Sequence, residues 1–302
     1  MMDILMIAAW TAFAAGIAAY AAIVSGQVAY VTLADGRRQE RSIPFSFKLL
    51  LPFAVNFRKM FSSPKFAAKI EEADKKLVSA GFEGLIDGRE FMALKILSPL
   101  VLGAVWCLAI LMLGTVIPDS MFVSMRLELC IAGTVLLAVQ PDLWLKQCIK
   151  RRHDSIMKSL PFVLDVLTLS VEAGMDFIHA LQRNCASRKM DPLNEELLRM
   201  TKEIQVGSSR KAALKGMADR TGQSDLKAVA RALVQADELG VSLGPILRIL
   251  SDQMRARRFS RAEKLAGEAP TKMLGPLMLF IFPAVFIILL GPILAEAAKG
   301  IF

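Results

Sequence analysis

The sequence predicts an all-α, polytopic membrane protein with about four transmembrane helices and a six-helix cytoplasmic bundle. Three observations carry this prediction. The chain is 54% hydrophobic but only 7% aromatic, and Ala, Leu and Met supply most of the apolar content, a mix that favours helices over strands. Its mean hydropathy is +0.46, and the apolar residues gather in long charge-free runs. Between those runs lies a polar region in which helix starts and stops recur at regular spacing.

Residues 1–34 read as a retained N-terminal anchor. Residues 4–34 hold no charge, and the opening "MMDILMIAAW" has an acid and no basic residue ahead of the apolar run, unlike a cleaved signal. Residues 35–95 read as a cytoplasmic loop with one amphipathic helix: Ser63 and Pro64 start it, Phe66, Ile70, Ala73 and Leu77 follow at helical spacing, and Gly81 ends it. This helix is expected on the membrane surface or docked on the larger polar region.

Residues 96–145 read as a transmembrane pair. The first member, residues 96–118, has 23 uncharged residues. The second has an uncharged stretch of only 13, residues 129–141, and charge bias decides it. Residues 35–95 and 142–272 together hold 35 of the 37 Lys and Arg. Both regions lie on the cytoplasmic side only if a span of about 123–145 crosses between them, with Lys146, Lys150, Arg151 and Arg152 at the membrane edge. Residues 273–302 are a last span and short tail, with Pro276, Pro283 and Pro292 as kink residues that pack against other spans or serve as a hinge.

Residues 146–272 read as the bundle. Gly174, Gly207 and Gly240 are 33 residues apart, and each has a Leu seven places later. Three helical hairpins fit that period, turning at these glycines. Ser159, Asp176, Asp191, Ser208 or Ser209, Asp225 and Ser242 are the expected helix starts.

No catalytic, cofactor or metal site is expected. The chain lacks G-x-x-x-x-G-K-[ST], G-x-S-x-G, H-E-x-x-H and C-x-x-C, its only histidines are His153 and His179, and its four cysteines read as reduced thiols. The spans carry almost no ionisable residue in their middles, which disfavours a coupled transporter. Asp165 and Glu172 are a candidate pair of another kind. On a helix they share a narrow stripe with Pro161 and Thr168, and most other positions are apolar, so the helix is expected to be largely covered, within its bundle or against a partner. Two turns, roughly 10 Å, separate the carboxylates. That suits two ion pairs, inside the bundle or across a subunit contact, better than one shared proton or metal. Arg210, Arg257, Arg258 and Arg261 are candidate ion-pair or partner-contact residues of the same kind. The basic cluster that includes the last three precedes the final span and suits anionic lipid and topology anchoring better than nucleic acid.

Four stretches, "LPFVLDVLTLSVEAGMDFIHALQR", "EIQVGSSRKAALKGMADRTG", "ALVQADELGVSLGPILR" and "RRFSRAEKLAGEAPTKMLGPLMLFIFPAVFIILLGPIL", resemble the type II secretion system F-domain family. They look closest to its TadC branch, from tight-adherence (Tad/Flp) pili. The resemblance covers about 158–295 and rests on Glu172-Ala-Gly174, Gly207-x-x-Arg210-x-x-Ala213-Leu214, Arg261-Ala-Glu263 and Gly291-Pro292. It implies a non-enzymatic platform protein of the bacterial inner membrane with a cytoplasmic F domain. The implied partners are a TadB-like paralogous platform protein, a hexameric TadA-like secretion ATPase, and pilin or minor pilins. One F domain is present where the classical F proteins have two, which fits pairing with a second F-domain protein. A platform of type II secretion or of another type IV pilus is the alternative, and a membrane enzyme or transporter a distant one.

Overall fold

A computed structural model describes residues 29–32, 38–41, 44, 47–48, 50–51, 67–116 and 125–299, with side chains described over 67–111 and 125–292 among the helices. The described residues are helical apart from one antiparallel hairpin, in which β1 (Ala29–Thr32) pairs with β2 (Arg38–Arg41), Ala29 opposite Arg41 and Thr32 opposite Arg38. Apart from this one four-residue pairing, every described element is helical, in keeping with the all-α class. Tyr30, Val31 and Thr32 are strand formers, and Asp35-Gly36 between the strands is a strong hairpin signal. The rest of the anchor and the Ser63–Pro64 helix start lie outside the described residues.

The helices follow in order: α1 (Ala67–Ala80), α2 (Gly88–Leu97), α3 (Gly103–Val116), α4 (Arg126–Glu172), α5 (Phe177–Ser187), α6 (Pro192–Gln205), α7 (Arg210–Thr221), α8 (Ser224–Glu238) and α9 (Leu243–Lys299). A π-helical turn, Ser98–Leu102, carries α2 into α3. Ser98 is fully buried there, and its hydroxyl donates to the Leu137 carbonyl of α4 at 3.1 Å.

Three of these stretches are long and apolar enough to cross a membrane: Gly88–Leu111, Arg126–Glu172 and Leu243–Pro292. They include the weak segment at 129–141. The apolar part of α9 leaves Leu274, Phe280, Ile281, Ile287, Ile288 and Leu289 exposed around its circumference. An all-round apolar helix with no described residue against it calls for lipid, another span or another subunit around it. Among the described residues nothing lies within 4 Å of a Cβ placed at Gly275 or Gly291, the helix's own neighbouring backbone aside, so these residues do not supply the packing expected around the kink residues. The helix continues past Pro270, Pro276, Pro283 and Pro292.

Two cores form. The larger draws on α4 through α9, with Ile156, Leu164, Leu181, Met200, Leu214, Leu226 and Leu247 among its most buried members. The smaller gathers α1, α2, the chain near Phe47 and the middle of α4. There Trp144 meets Phe47 edge-on at 4.9 Å and Phe82 at 5.1 Å. Helix α1 turns Ala73, Leu77 and Ala80 inward, and its Ser79 hydroxyl donates to the Arg220 carbonyl of α7 at 3.1 Å. It is therefore docked on protein along that face. Gly88 permits the α1–α2 approach, since a Cβ there would lie 2.6 Å from both the Asp74 carboxylate and the Ile70 carbonyl.

Helix α4 is 47 residues long and α9 is 57, so each is about 70–85 Å of unbroken helix at 1.5 Å per residue. Both run from an apolar half into the larger core. Ser159 is not a helix start but an interior residue of α4, its hydroxyl turned back to the Ser155 carbonyl at 3.0 Å. Pro161 is also interior and buried. The buried stripe of Ile156, Leu160, Val163, Leu164 and Leu167 offsets the hydrogen bond that this proline removes.

Candidate functional site

Three turns of one kind cap one end of the larger bundle. Gly174, Gly207 and Gly240 adopt φ of 88°, 107° and 66°. At each, the residue after the glycine donates five residues back: Met175 to Ser170, Ser208 to Glu203 and Val241 to Ala236, at 3.0, 2.9 and 3.1 Å. These are Schellman closures in which the left-handed φ calls for glycine, since a Cβ at any of the three would meet nothing within 4 Å among the described residues. After the first two turns Asp176 and Ser209 cap α5 and α7 through Ile178 and Ala212 N–H, and at the α5–α6 connection Asp191 caps α6 through Asn194 N–H. Before α8 the cap is Gln223, whose side chain accepts from Leu226 N–H at 2.5 Å. Asp225 lies two residues on, its carboxylate engaged by Arg257. Helix α9 begins directly after Ser242.

The three turns meet. Arg210 pairs with Asp237 at 2.9 Å, lies 4.0 Å from Asp176 and covers the Phe177 ring at 5.6 Å. Lys211 pairs with Glu238 beside it. Around these pairs the turns expose Val206, Leu239 and Val241. This tip is the end of the bundle farthest from the apolar halves of α4 and α9.

Along the α4–α9 seam the polar stripe forms a ladder. Asp165 accepts from the Ser251 hydroxyl and pairs with Arg255 at 2.6 Å; Glu172 pairs with Arg248, also at 2.6 Å. The two carboxylates thus have separate partners and share none. The ladder is only partly covered: Asp165 and Glu172 keep 29% and 33% of their side-chain exposure, and their arginines about twice that. The bundle itself does not cover the helix all round: Phe162 and Leu169 face outward at 57% and 67% exposure, which leaves a partner as the cover the expectation still allows. The reason for this exposure is the helix wheel: Phe162 and Leu169 lie only about 40–60° from Asp165, so they flank the partly exposed stripe, while the opposite face, with Ile156, Leu160, Val163 and Leu167, fills the core. Lower on α9, Arg257 reaches Asp225 at 2.8 Å and Arg261 lies 3.9 Å from it, while Arg258 makes no ion pair among the described residues.

A second ionic cluster escaped the sequence reading. Arg152 of α4 lies against Glu195 at 3.2 Å and Glu196 at 2.9 Å; Arg220 of α7 reaches Glu196 at 3.2 Å and Glu203 at 2.9 Å; Arg199 joins Glu203 at 3.4 Å to Glu83 of the α1–α2 loop. Arg152 and Glu196 are buried. The Arg199 guanidinium grips both Glu83 oxygens and holds that carboxyl below the usual glutamate range. A signal existed: Glu196 falls on the same face of α6 as Leu193 and Met200, and Arg152 is one turn before Ile156, both core positions. A charge on a core stripe demands a partner.

Among the described residues no group of three or more His, Cys, Asp or Glu is placed to hold a metal ion. Cys107, Cys130, Cys148 and Cys185 are free thiols. Burial pushes the Cys185 thiol up to about 11, so it stays protonated at neutral pH.

Residues 163–291 match the family model for the type II secretion system (T2SS) protein F. The match begins in the last turns of α4 and ends in the apolar half of α9, so it takes in the seam and the three turns. No curated protein and no solved structure matches the chain.

Proposed function

We propose that this chain is an inner-membrane platform protein of a Tad/Flp type IV pilus assembly machine. In this reading it crosses the membrane four times, holds its F domain in the cytoplasm and performs no chemistry of its own. One observation carries the reading: the T2SS protein F domain at 163–291 is mounted on two helices that continue without a break into apolar stretches able to cross a membrane. A load applied to the bundle passes straight into those stretches, which is what a platform needs and what a loosely tethered enzyme does not. The residues 1–34, 35–95, 96–145, 146–272 and 273–302 divide as anchor, loop, helix pair, F domain and final span, with the boundaries at 145 and 272 falling inside continuous helices.

A hexameric TadA-like ATPase supplies the energy from the cytoplasmic side. A TadB-like paralogue completes the platform in the membrane, and pilin or minor pilins are its cargo. Arg258, Val206 and Leu239 are exposed groups that face such partners, and the half-buried Arg210 lies beside the last two at the tip. The Tad assignment over a platform of type II secretion or another type IV pilus rests on the resemblance of 158–295 to the TadC branch.

Crosslinking in native membranes followed by purification of the full chain tests the proposal. The expected result is recovery of an F-domain paralogue and a secretion ATPase, loss of pili on deletion of the chain, and no ATP hydrolysis by the purified chain alone. Recovery of general-secretion-pathway components in place of pilus components moves the assignment to type II secretion. Intrinsic turnover that survives removal of contaminating ATPases overturns the platform reading.

A further inference from the structure

The smaller core leaves a groove of 720 Å³ where α1 crosses α2 and α4. Its floor is apolar and includes Met92, Ile96, Pro99, Ala138 and Ile149. Its rim carries Lys69, Lys76, Lys95 and Lys146 against only Glu72 and Asp142. Two of the four lysines are matched: Lys76 pairs with Glu72 at 2.5 Å and Lys95 with Asp142 at 2.6 Å. Lys69 and Lys146 make no ion pair among the described residues, so the rim holds two uncompensated positive charges.

The groove is graded along α4. Pro99 and Ala138 fall within the uncharged runs 96–118 and 129–141, whereas Lys95, Asp142 and Lys146 lie just outside them. Lys146 is eight residues beyond Ala138, about 12 Å along the helix. Lys69 comes from α1 on the same rim. Apolar depth and basic mouth are thus separated by about the span from the upper acyl chain of a phospholipid to its phosphate. A basic pocket between membrane helices on the cytoplasmic side is chemically suited to an anionic headgroup.

The geometry points to an anionic phospholipid bound in this groove, its phosphate between Lys69 and Lys146 and an acyl chain along Ile96, Pro99 and Ala138. The site rests on the reading that α3 and the first half of α4 lie in a membrane. Occupied, it fastens α1 to the bilayer edge of α4. Because α1 also holds the Arg220 carbonyl of α7 through Ser79, the lipid links the bundle to the membrane surface at a third point besides α4 and α9.

The test uses the purified full chain in mixed micelles with equimolar phosphatidylglycerol and phosphatidylcholine, and native mass spectrometry to count the lipids retained. The wild-type chain is expected to retain phosphatidylglycerol preferentially. The preference should fall by about fivefold for each of Lys69→Gln and Lys146→Gln, the worth of one lysine at an anionic surface, and remain unchanged in Lys215→Gln. Equal retention of the two lipids by the wild type, or an undiminished preference in the double variant, overturns the site. Loss of the preference on adding inorganic phosphate also overturns it, since the groove would then be a free-phosphate site. Alkaline carbonate extraction separates this inference from the one beneath it. A chain that stays in the membrane pellet yet shows no preference loses the lipid site alone, whereas a chain released into the supernatant loses the membrane reading and the site with it.

Discussion

The α4–α9 seam and the α4–α6–α7 junction are both built from arginine–carboxylate pairs, yet they stand in opposite environments. In the seam, Arg248 and Arg255 reach out from α9 to Glu172 and Asp165, and each arginine keeps 60% or more of its exposure. At the junction, Arg152 keeps 4% and Glu196 keeps 7%, and Glu196 is shared by two arginines. Water can replace either partner in the seam. It cannot do so at the junction, where removing one charge strands the others without solvation. Similar chemistry therefore makes an adjustable edge in one place and a fixed joint in the other. The fixed joint also ties the small core to the large one, through Arg199 and Glu83.

The comparison is broken most directly at its buried end. Glu196→Ala is expected to destabilise the full chain by about 3–5 kcal/mol, because it leaves Arg152 buried with only Glu195 in reach. Denaturant unfolding in detergent, followed by circular dichroism, reads this. A loss of less than about 1 kcal/mol would place the junction in the same class as the exposed seam.

The turns offer an intermediate case with no charge involved. Gly207→Ala forces a side chain into φ 107° and should cost about 1–2 kcal/mol. The same substitution at Gly216, inside α7, should cost less, since that position is helical and its nearest neighbour is the flexible end of Arg220 at 3.2 Å. Equal losses at the two positions would show that the turn conformation contributes nothing.

Glu83 sharpens the comparison through pH. Its folded carboxyl titrates below the ordinary value of 4.5, first because of the Arg199 hydrogen bond. A depressed carboxylate contributes stability that is full above the unfolded value and is lost as pH falls through the folded one. Docking of the α1–α2 loop on the bundle should therefore weaken as pH falls below about 4.5, the unfolded glutamate range. Amide exchange over residues 81–87 should rise there, and in Glu83→Gln that pH dependence should disappear.

The smallest effect belongs to the seam. Glu172→Ala should change stability by less than about 1 kcal/mol, the ordinary worth of an exposed pair. This revises the larger loss that a fully covered helix would imply. Normal stability with lost pili would assign the ladder to a partner contact. Normal stability with normal pili, in Glu172→Ala combined with Asp165→Ala, would leave it a solvated edge.

Much of the bundle was legible because backbone chemistry is local. A left-handed closure selects glycine, so Gly174, Gly207 and Gly240 announced the turns. Asp176, Asp191 and Ser209 announced helix starts because a short acceptor is needed for the first free N–H groups. The same rule failed at Ser159 and Asp225, where distant parts of the chain intervened. The core stripe carried α4 through Pro161, and Arg257 occupied the Asp225 carboxylate while Gln223 took the cap. The hairpin at Ala29–Thr32 was missed because the long charge-free run in which it lies outweighed the shorter Asp35-Gly36 signal.

The residues alone fixed features set by near neighbours or by solvent: the helical class, the apolar stretches, the three glycine turns and the separation of Asp165 from Glu172. Only the tertiary structure decided which arginines answer those acids, that the polar stripe faces α9 while Phe162 and Leu169 face out, and that Arg152, Glu196 and Arg220 share one buried joint. The physical reason is range. Backbone φ, capping and hydrophobic periodicity act within a few residues, whereas an ion pair is chosen by which helices pack together, and here the partners are separated by 24 to 90 residues of chain.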